Sequence, residues 1–188
     1  MLRAALDAGI NFIDTAPVYG ADGVGETLLA DVLAADRGDI VLTTKCGYDI
    51  AAERRNGTQR ERPHDFRPES VRKQLEDSLT RLGTDYIDLY QTHWPDPELP
   101  YDETMEGLTR AVAEGKVRVV GCSNESAYGL TKSLWASDAG GFVRHETIQN
   151  NFSLLNRRFE DALAEVCRRE KVSLIPYSPI AGGVLSGK

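Results

Sequence analysis

Two hydrophobic periods take turns along this chain. Short apolar runs that read as strands end in polar groups: Asn11 to Asp14, Ile40 to Lys45, Tyr86 to His93, Val117 to Cys122, Glu146 to Gln149 and Val172 to Tyr177. Between them the apolar residues fall at helical spacing, over Leu2 to Ala8, Gly25 to Leu33, Pro68 to Arg81, Tyr101 to Glu114, Ser126 to Ser137 and Arg158 to Arg169. Punctuation supports these boundaries. Gly9, Gly83 and Gly115 close helices, Pro68 opens one, and Trp94-Pro95-Asp96-Pro97 stops a strand. Leu75, Leu79 and Leu82 form one predicted inner stripe, and Met105, Leu108 and Val112 another. Two stretches carry no period, Cys46 to Arg67 and the glycine-rich tail Ile180 to Gly187.

Strand and helix in strict alternation imply parallel strands covered by helices. An open doubly wound sheet and a barrel share that alternation. The polarity of the strand ends favours the barrel. Asp14, Lys45, His93, Ser123, Gln149 and Tyr177 fall on successive strand ends, as at a barrel mouth, whereas a doubly wound sheet gathers its functional groups at one switch point. The Gly20-Ala21-Asp22-Gly23-Val24-Gly25 run also fails to fit the GxGxxG dinucleotide fingerprint. The predicted class is α/β, a (β/α)8 TIM-barrel type that is incomplete, with about six of the eight β/α units. A chain of 188 residues is short for the roughly 250 of a full barrel and reads as one partial-barrel domain over 1–188.

Composition narrows the function classes. A formal charge of -7 disfavours a nucleic-acid surface, which needs a basic patch. No apolar run approaches a membrane span, and the first residues lack the long apolar core of a signal peptide. Three cysteines, Cys46, Cys122 and Cys167, lack metal-ligand spacing; they read as reduced cysteines of a cytoplasmic protein, and no metal is expected. The chemistry-bearing groups are an acid, a phenol, an amine and an imidazole, Asp14, Tyr19, Lys45 and His93, each at or just past a strand end where one site can collect them. Each alone has an ordinary role, as a packing tyrosine, a loop-capping acid, a solvated lysine or a turn histidine. The arginine-rich stretch Arg54 to Arg67 reads as a solvated loop, with anion sensing as its rival.

Phe12-Ile13-Asp14-Thr15-Ala16 with Tyr19-Gly20 and Gly25-Glu26, then Thr43-Thr44-Lys45, then Arg81-Leu82-Gly83-Thr84-Asp85-Tyr86-Ile87-Asp88-Leu89-Tyr90 into His93-Trp94-Pro95, resembles the aldo-keto reductases. Gly121-Cys122-Ser123-Asn124, Gln149 and Tyr177-Ser178-Pro179 resemble the same family's nicotinamide side, and the matches run in family order. The resemblance implies an oxidoreductase that moves hydride between NADPH and an aldehyde or ketone. By it, Tyr19 is the proton donor, Lys45 and Asp14 tune that phenol, and His93 orients the substrate oxygen. Ser123, Asn124, Gln149, Tyr177, Ser178, Gly183 and Leu185 are implied to bind NADP(H), with Trp94 as a wall of the substrate pocket. Bottom-up, a cation beside a phenol of ordinary pKa near 10 is expected to favour its ionised form. The amides and hydroxyls suit a carboxamide, and the Tyr177 ring suits stacking on a planar heterocycle. Asn124 has helix capping as its ordinary alternative. The family pattern also leads to the expectation that an opening hairpin and first strand precede Met1, and that the eighth strand and most of the 2'-phosphate grip follow Lys188. Exposed barrel edges are then expected to promote self-association. A non-catalytic regulatory subunit of the same fold and an inactive fragment are the alternative readings.

Overall fold

The computed structural model describes residues 2–20, 22–50 and 63–187. Six strands, β1 (Phe12–Asp14), β2 (Val41–Cys46), β3 (Ile87–Thr92), β4 (Val117–Ser123), β5 (His145–Asn151) and β6 (Ser173–Tyr177), form one sheet in chain order. Every neighbouring pair is parallel. The seven helices among the described residues are α1 (Leu2–Asp7), α2 (Val24–Thr27), α3 (Ala30–Asp36), α4 (Pro68–Leu82), α5 (Tyr101–Ala113), α6 (Ala127–Gly140) and α7 (Leu163–Glu170). The sheet curls into a half-barrel, the incomplete (β/α)8 barrel that the strand-end pattern predicts. Most of the irregular arginine-rich segment, including Arg54, Arg55, Arg60 and Arg62, lies outside the described residues.

The helices follow from local chemistry. In α4, Pro68 occupies the first turn with Glu69, where a missing N–H costs nothing and an acid meets the positive helix end. Its buried face is Val71, Leu75, Ser78, Leu79 and Leu82, and Gly83 at φ 63 ends it by turning its N–H back to Leu79 and Thr80. Helix α5 lies against α4 with Met105, Gly107, Leu108 and Ala111 buried. A Cβ on Gly107 would sit 2.9 Å from the Pro68 Cα, so that position lets the two helices approach. Val112, expected in the inner stripe, is only partly buried.

Two predicted helices are broken in the fold. The Gly25 to Leu33 helix divides into α2 and α3 at Leu28 and Leu29, and the Arg158 to Arg169 helix divides into a 3₁₀ turn (Arg158–Asp161) and α7. In both, the pattern marks which side is buried but not where the axis must bend to follow a curved sheet. Helix α6 runs past the predicted Ser137 to Gly140, and β5 begins one residue earlier and ends two later than read.

The main core lies between the outer face of the sheet and the helices, with Leu42, Tyr90 and Val120 meeting Leu33, Leu75, Leu82, Met105 and Leu108. A second cluster places Cys122 and Ile148 against Leu130, Leu134, Leu163 and Cys167. The inner face is different. Side chains alternate across a strand, so Phe12 and Val41 share the inner face with Asp14 and Lys45, and the strand register places Val119 there too. These three stay 43%, 36% and 37% exposed, because the sheet curls without closing over them.

Candidate active site

The C-terminal ends of the strands form the rim of one open cleft, lined by Asp14, Val18, Tyr19, Tyr48, His93, Trp94, Ser123, Asn124, Gln149 and Tyr177. Eight of these are residues that the sequence reading selects. Lys45 sits beneath the rim rather than on it, with its side chain 0% exposed. Ser178, Gly183 and Leu185 lie on the segment after β6, outside the lining residues.

A fully buried ammonium requires acceptors, and Lys45 has four. Its Nζ donates to both Asp14 carboxylate oxygens at 2.8 Å, to the Thr15 carbonyl at 3.0 Å and to the Tyr19 hydroxyl at 3.2 Å. Register supplies this arrangement: Asp14 pairs with Thr43, two residues before Lys45 on the same face. The loop holding Tyr19 is closed by local bonds, Tyr19 N–H to the Ala16 carbonyl at 3.0 Å and Gly25 N–H to the Tyr19 carbonyl at 2.9 Å. Any Cβ at Gly25 would come within 2.8 Å of that carbonyl. Below the loop, buried Glu26 accepts from the Thr44 hydroxyl at 2.6 Å and from Arg81 Nε at 2.7 Å, tying α2, β2 and α4 together.

The titration of the phenol differs from the sequence expectation. Burial, and next the Asp14 charge, push Tyr19 up to about 12. Asp14 offsets the ammonium beside it, and desolvation of the phenolate outweighs what attraction remains. Tyr19 is therefore a protonated phenol at neutral pH. Burial also pulls the Lys45 pKa down, while Asp14 acts to restore it. His93 drops to about 3 through burial and the charges of Lys45 and His64, so its imidazole is neutral with one N–H to give.

Across the cleft the polar groups are already joined. Ser123 donates its hydroxyl to the Gln149 carbonyl at 2.8 Å. Asn124 spends both amide donors, on the His93 carbonyl at 2.9 Å and on the Ser123 hydroxyl at 3.1 Å, and its oxygen accepts from the Tyr177 hydroxyl at 2.8 Å. It does not cap α6; Ser126 does, accepting from the Gly129 N–H at 2.9 Å. Asn124 is instead the link between the β6 end and the backbone of His93, held at a left-handed φ of 58 that asparagine tolerates. Gln149, a buried residue, also lines the cleft.

Sequence reasoning missed Tyr48 and Val18 as cleft walls and Thr15 as a ligand of the lysine. Tyr48 had one legible signal, an aromatic residue just past the lysine strand. The Thr15 contact is made by a backbone carbonyl and has none. Among the described residues no group of three or more His, Cys, Asp or Glu side chains has metal-binding geometry, and no helix is long and apolar enough to cross a membrane.

A half-barrel whose rim gathers a phenol, a buried lysine–aspartate pair and a neutral imidazole opposite an amide-rich wall defines a class of (β/α)8 protein with one site at its mouth. The Aldo/keto reductase family model matches residues 1–188, and the chain belongs to that family. Protein tas of Escherichia coli is 36% identical over 213 residues, covering 100% of this chain and 60% of that protein. The NADH-specific methylglyoxal reductase of Escherichia coli is 36% identical over 188 residues, covering 95% of this chain and 55% of that protein. Among solved structures, the glycerol dehydrogenase AKR11B4 from Gluconobacter oxydans superposes with a TM-score of 0.86 at 34% identity, over 100% of this chain and 54% of the other. The chain thus spans little more than half the length of these relatives.

Proposed function

We propose that residues 1–188 form a single oxidoreductase domain that transfers hydride between NADP(H) and an aldehyde or ketone. The observation carrying this reading is the buried Lys45 amine, held by both Asp14 oxygens at 2.8 Å and 3.2 Å from the Tyr19 hydroxyl at the cleft edge. Membership of the family and the oxidoreductase names of its relatives support the reaction class. The choice of NADP(H) over NADH is part of the proposal, since one relative is an NADH-specific reductase.

The residues present fit a nicotinamide. The Gln149 amide at the cleft wall suits a carboxamide, the Tyr177 ring offers a flat face, and Ser123 and Asn124 complete a polar wall that shapes the pocket. Ser178, Gly183 and Leu185 follow β6 and would cover the rest of the cofactor. A nicotinamide held there would supply the hydride for the carbonyl carbon. Tyr19 gives its proton to the carbonyl oxygen as negative charge develops there, and takes another from solvent afterwards. The Lys45–Asp14 pair fixes the phenol in place and steadies the phenolate left behind. His93, neutral across the physiological range, donates a hydrogen bond to the same oxygen and orients it. Trp94, Tyr48 and Val18 form the apolar walls against which a small carbonyl compound packs. The unclosed inner face and the β1 and β6 edges are the surface through which we propose self-association, checked by sedimentation.

The test is consumption of NADPH with nitrobenzaldehyde by the 188-residue chain and by Tyr19→Phe. Removing a general acid lowers kcat by about 10²–10⁴. Turnover that survives in Tyr19→Phe refutes the assignment of the acid. Saturable NADPH binding with no turnover in the parent chain selects the regulatory reading instead.

A further inference from the structure

His93 has an unusual support. Its backbone is anchored, N–H to the Cys46 carbonyl at 2.9 Å and carbonyl from Asn124 at 2.9 Å, but no hydrogen bond among the described residues holds its imidazole. What surrounds that ring is aromatic. Tyr19 meets it edge-on at 5.8 Å between centroids and 88°, and Tyr48 meets it at 5.2 Å and 80°. Tyr48 is in turn met by His64 at 4.6 Å and 72°, and His64 by Phe66 at 6.2 Å and 62°. Edge-to-face pairs at these separations fix the mutual orientation of rings.

The chain is built to hold the Tyr48–His64 contact. The two residues form an antiparallel bridge, flanked by Asp49 N–H to the Pro63 carbonyl at 3.0 Å and Asp65 N–H to the Gly47 carbonyl at 2.9 Å. Gln74 on α4 clamps both arms: its Oε1 accepts from the Gly47 N–H at 2.7 Å, and its Nε2 donates to the Asp65 carbonyl at 2.9 Å. Gly47 at φ 119 lies directly over the Phe66 ring, so close that a Cβ there would meet Phe66 Cζ at 2.0 Å. The His64 Nε2 atom is buried and has no hydrogen-bond partner among the described residues. The ring contacts with Tyr48 and Phe66 are what tie the side chain to the site.

We propose that His64 is a positioning residue, whose ring presses Tyr48 onto His93 and so sets the direction in which the His93 imidazole faces the cleft. The consequence for rate rests on the carbonyl-reductase reading.

Three variants of the 188-residue chain decide it: His64→Ala, His64→Leu and His64→Phe. The first readout is the ¹H–¹³C NMR signal of the His93 imidazole, assigned by its loss in His93→Asn. Removal of the ring in the Ala and Leu variants shifts and broadens that signal, while Phe, which keeps an aromatic edge, leaves it in place. The second readout is steady-state kinetics with NADPH and nitrobenzaldehyde. His64→Ala and His64→Leu lower kcat by about 10- to 100-fold, the scale of a misdirected catalytic group. KM rises by less than kcat falls, since Tyr48 is one wall among Trp94, Tyr48 and Val18, and His64→Phe restores kcat. Leu fills most of the space that Ala empties, so it decides the matter if the Ala variant does not fold. An unmoved His93 signal in His64→Leu overturns the proposal, as does a His64→Phe chain disturbed as much as the Leu one. NMR shifts as described in a chain without turnover uphold the ring contact and reject the carbonyl-reductase reading.

Discussion

Asp14→Asn removes the charge that faces a buried ammonium and leaves the shape almost unchanged. Lys45 Nζ has no solvent to turn to, at 0% side-chain exposure, and the oxygens left around it are neutral: the new side-chain carboxamide, the Thr15 carbonyl and the Tyr19 hydroxyl. Stranding a buried charge by removing its partner costs about 3–5 kcal/mol. Deprotonation of the lysine caps that cost. Pulling a pKa from about 10.4 down to 7 is worth about 4.6 kcal/mol at about 1.36 kcal/mol per unit, so beyond this value the amine simply loses its proton at neutral pH. Asp14 is itself 29% exposed, so water softens the change, and a loss of about 3 kcal/mol at pH 7 is expected. The sign with pH follows from the proton count. The folded Lys45 pKa lies below its unfolded value, so the unfolded chain binds more protons and stability rises with pH between the two. The variant lowers the folded value further and steepens that rise, so its deficit narrows as the solution is made alkaline. Urea unfolding followed by the fluorescence of Trp94 and Trp135, at pH 7 and again near pH 9.5, measures both effects. A deficit below about 1 kcal/mol, or one equal at both pH values, refutes the claim that an ammonium is buried there.

Three further outcomes follow from the same geometry. Glu26→Ala strips partners from Arg81 and Thr44 at a site that is 0% exposed, and lowers Tm by roughly 10 °C, from about 3 kcal/mol at about 2–4 °C per kcal/mol for a domain of this size; differential scanning calorimetry checks it. Gly47→Ala adds a Cβ at a left-handed φ of 119 and against Phe66, and costs at least about 2 kcal/mol in the same measurement. His93 and buried His145 have folded pKa values near 3 and 4, below the unfolded value, so their contribution is full above pH 6.5 and is lost as pH falls. Two such groups at about 1.36 kcal/mol per unit remove roughly 3 kcal/mol between pH 6.5 and 5, visible as a falling urea midpoint, and His93 shows no NMR titration above pH 5.

Much of this protein was legible one residue at a time. The strand ends, the stripes on α4 and α5, and the gathering of Asp14, Tyr19, Lys45 and His93 at one mouth follow from periodicity and from polar groups placed where apolar runs stop. These are local properties: a side chain's position along a strand decides which end of the barrel it reaches. Distances between strands in space are not local properties. That Lys45 lies under the rim, that a backbone carbonyl of Thr15 joins its ligands, and that Asn124 ties β6 to His93 rather than capping a helix are decided by register between elements remote in the chain. The titration of Tyr19 reversed for the same reason. A neighbouring lysine is visible in the sequence, but desolvation depends on everything packed around the phenol, and burial outweighed the charge. The ring contact from His64 to His93 likewise exists only because the chain around Gly47 folds back against α4, bringing two residues with no shared pattern to one wall of the site.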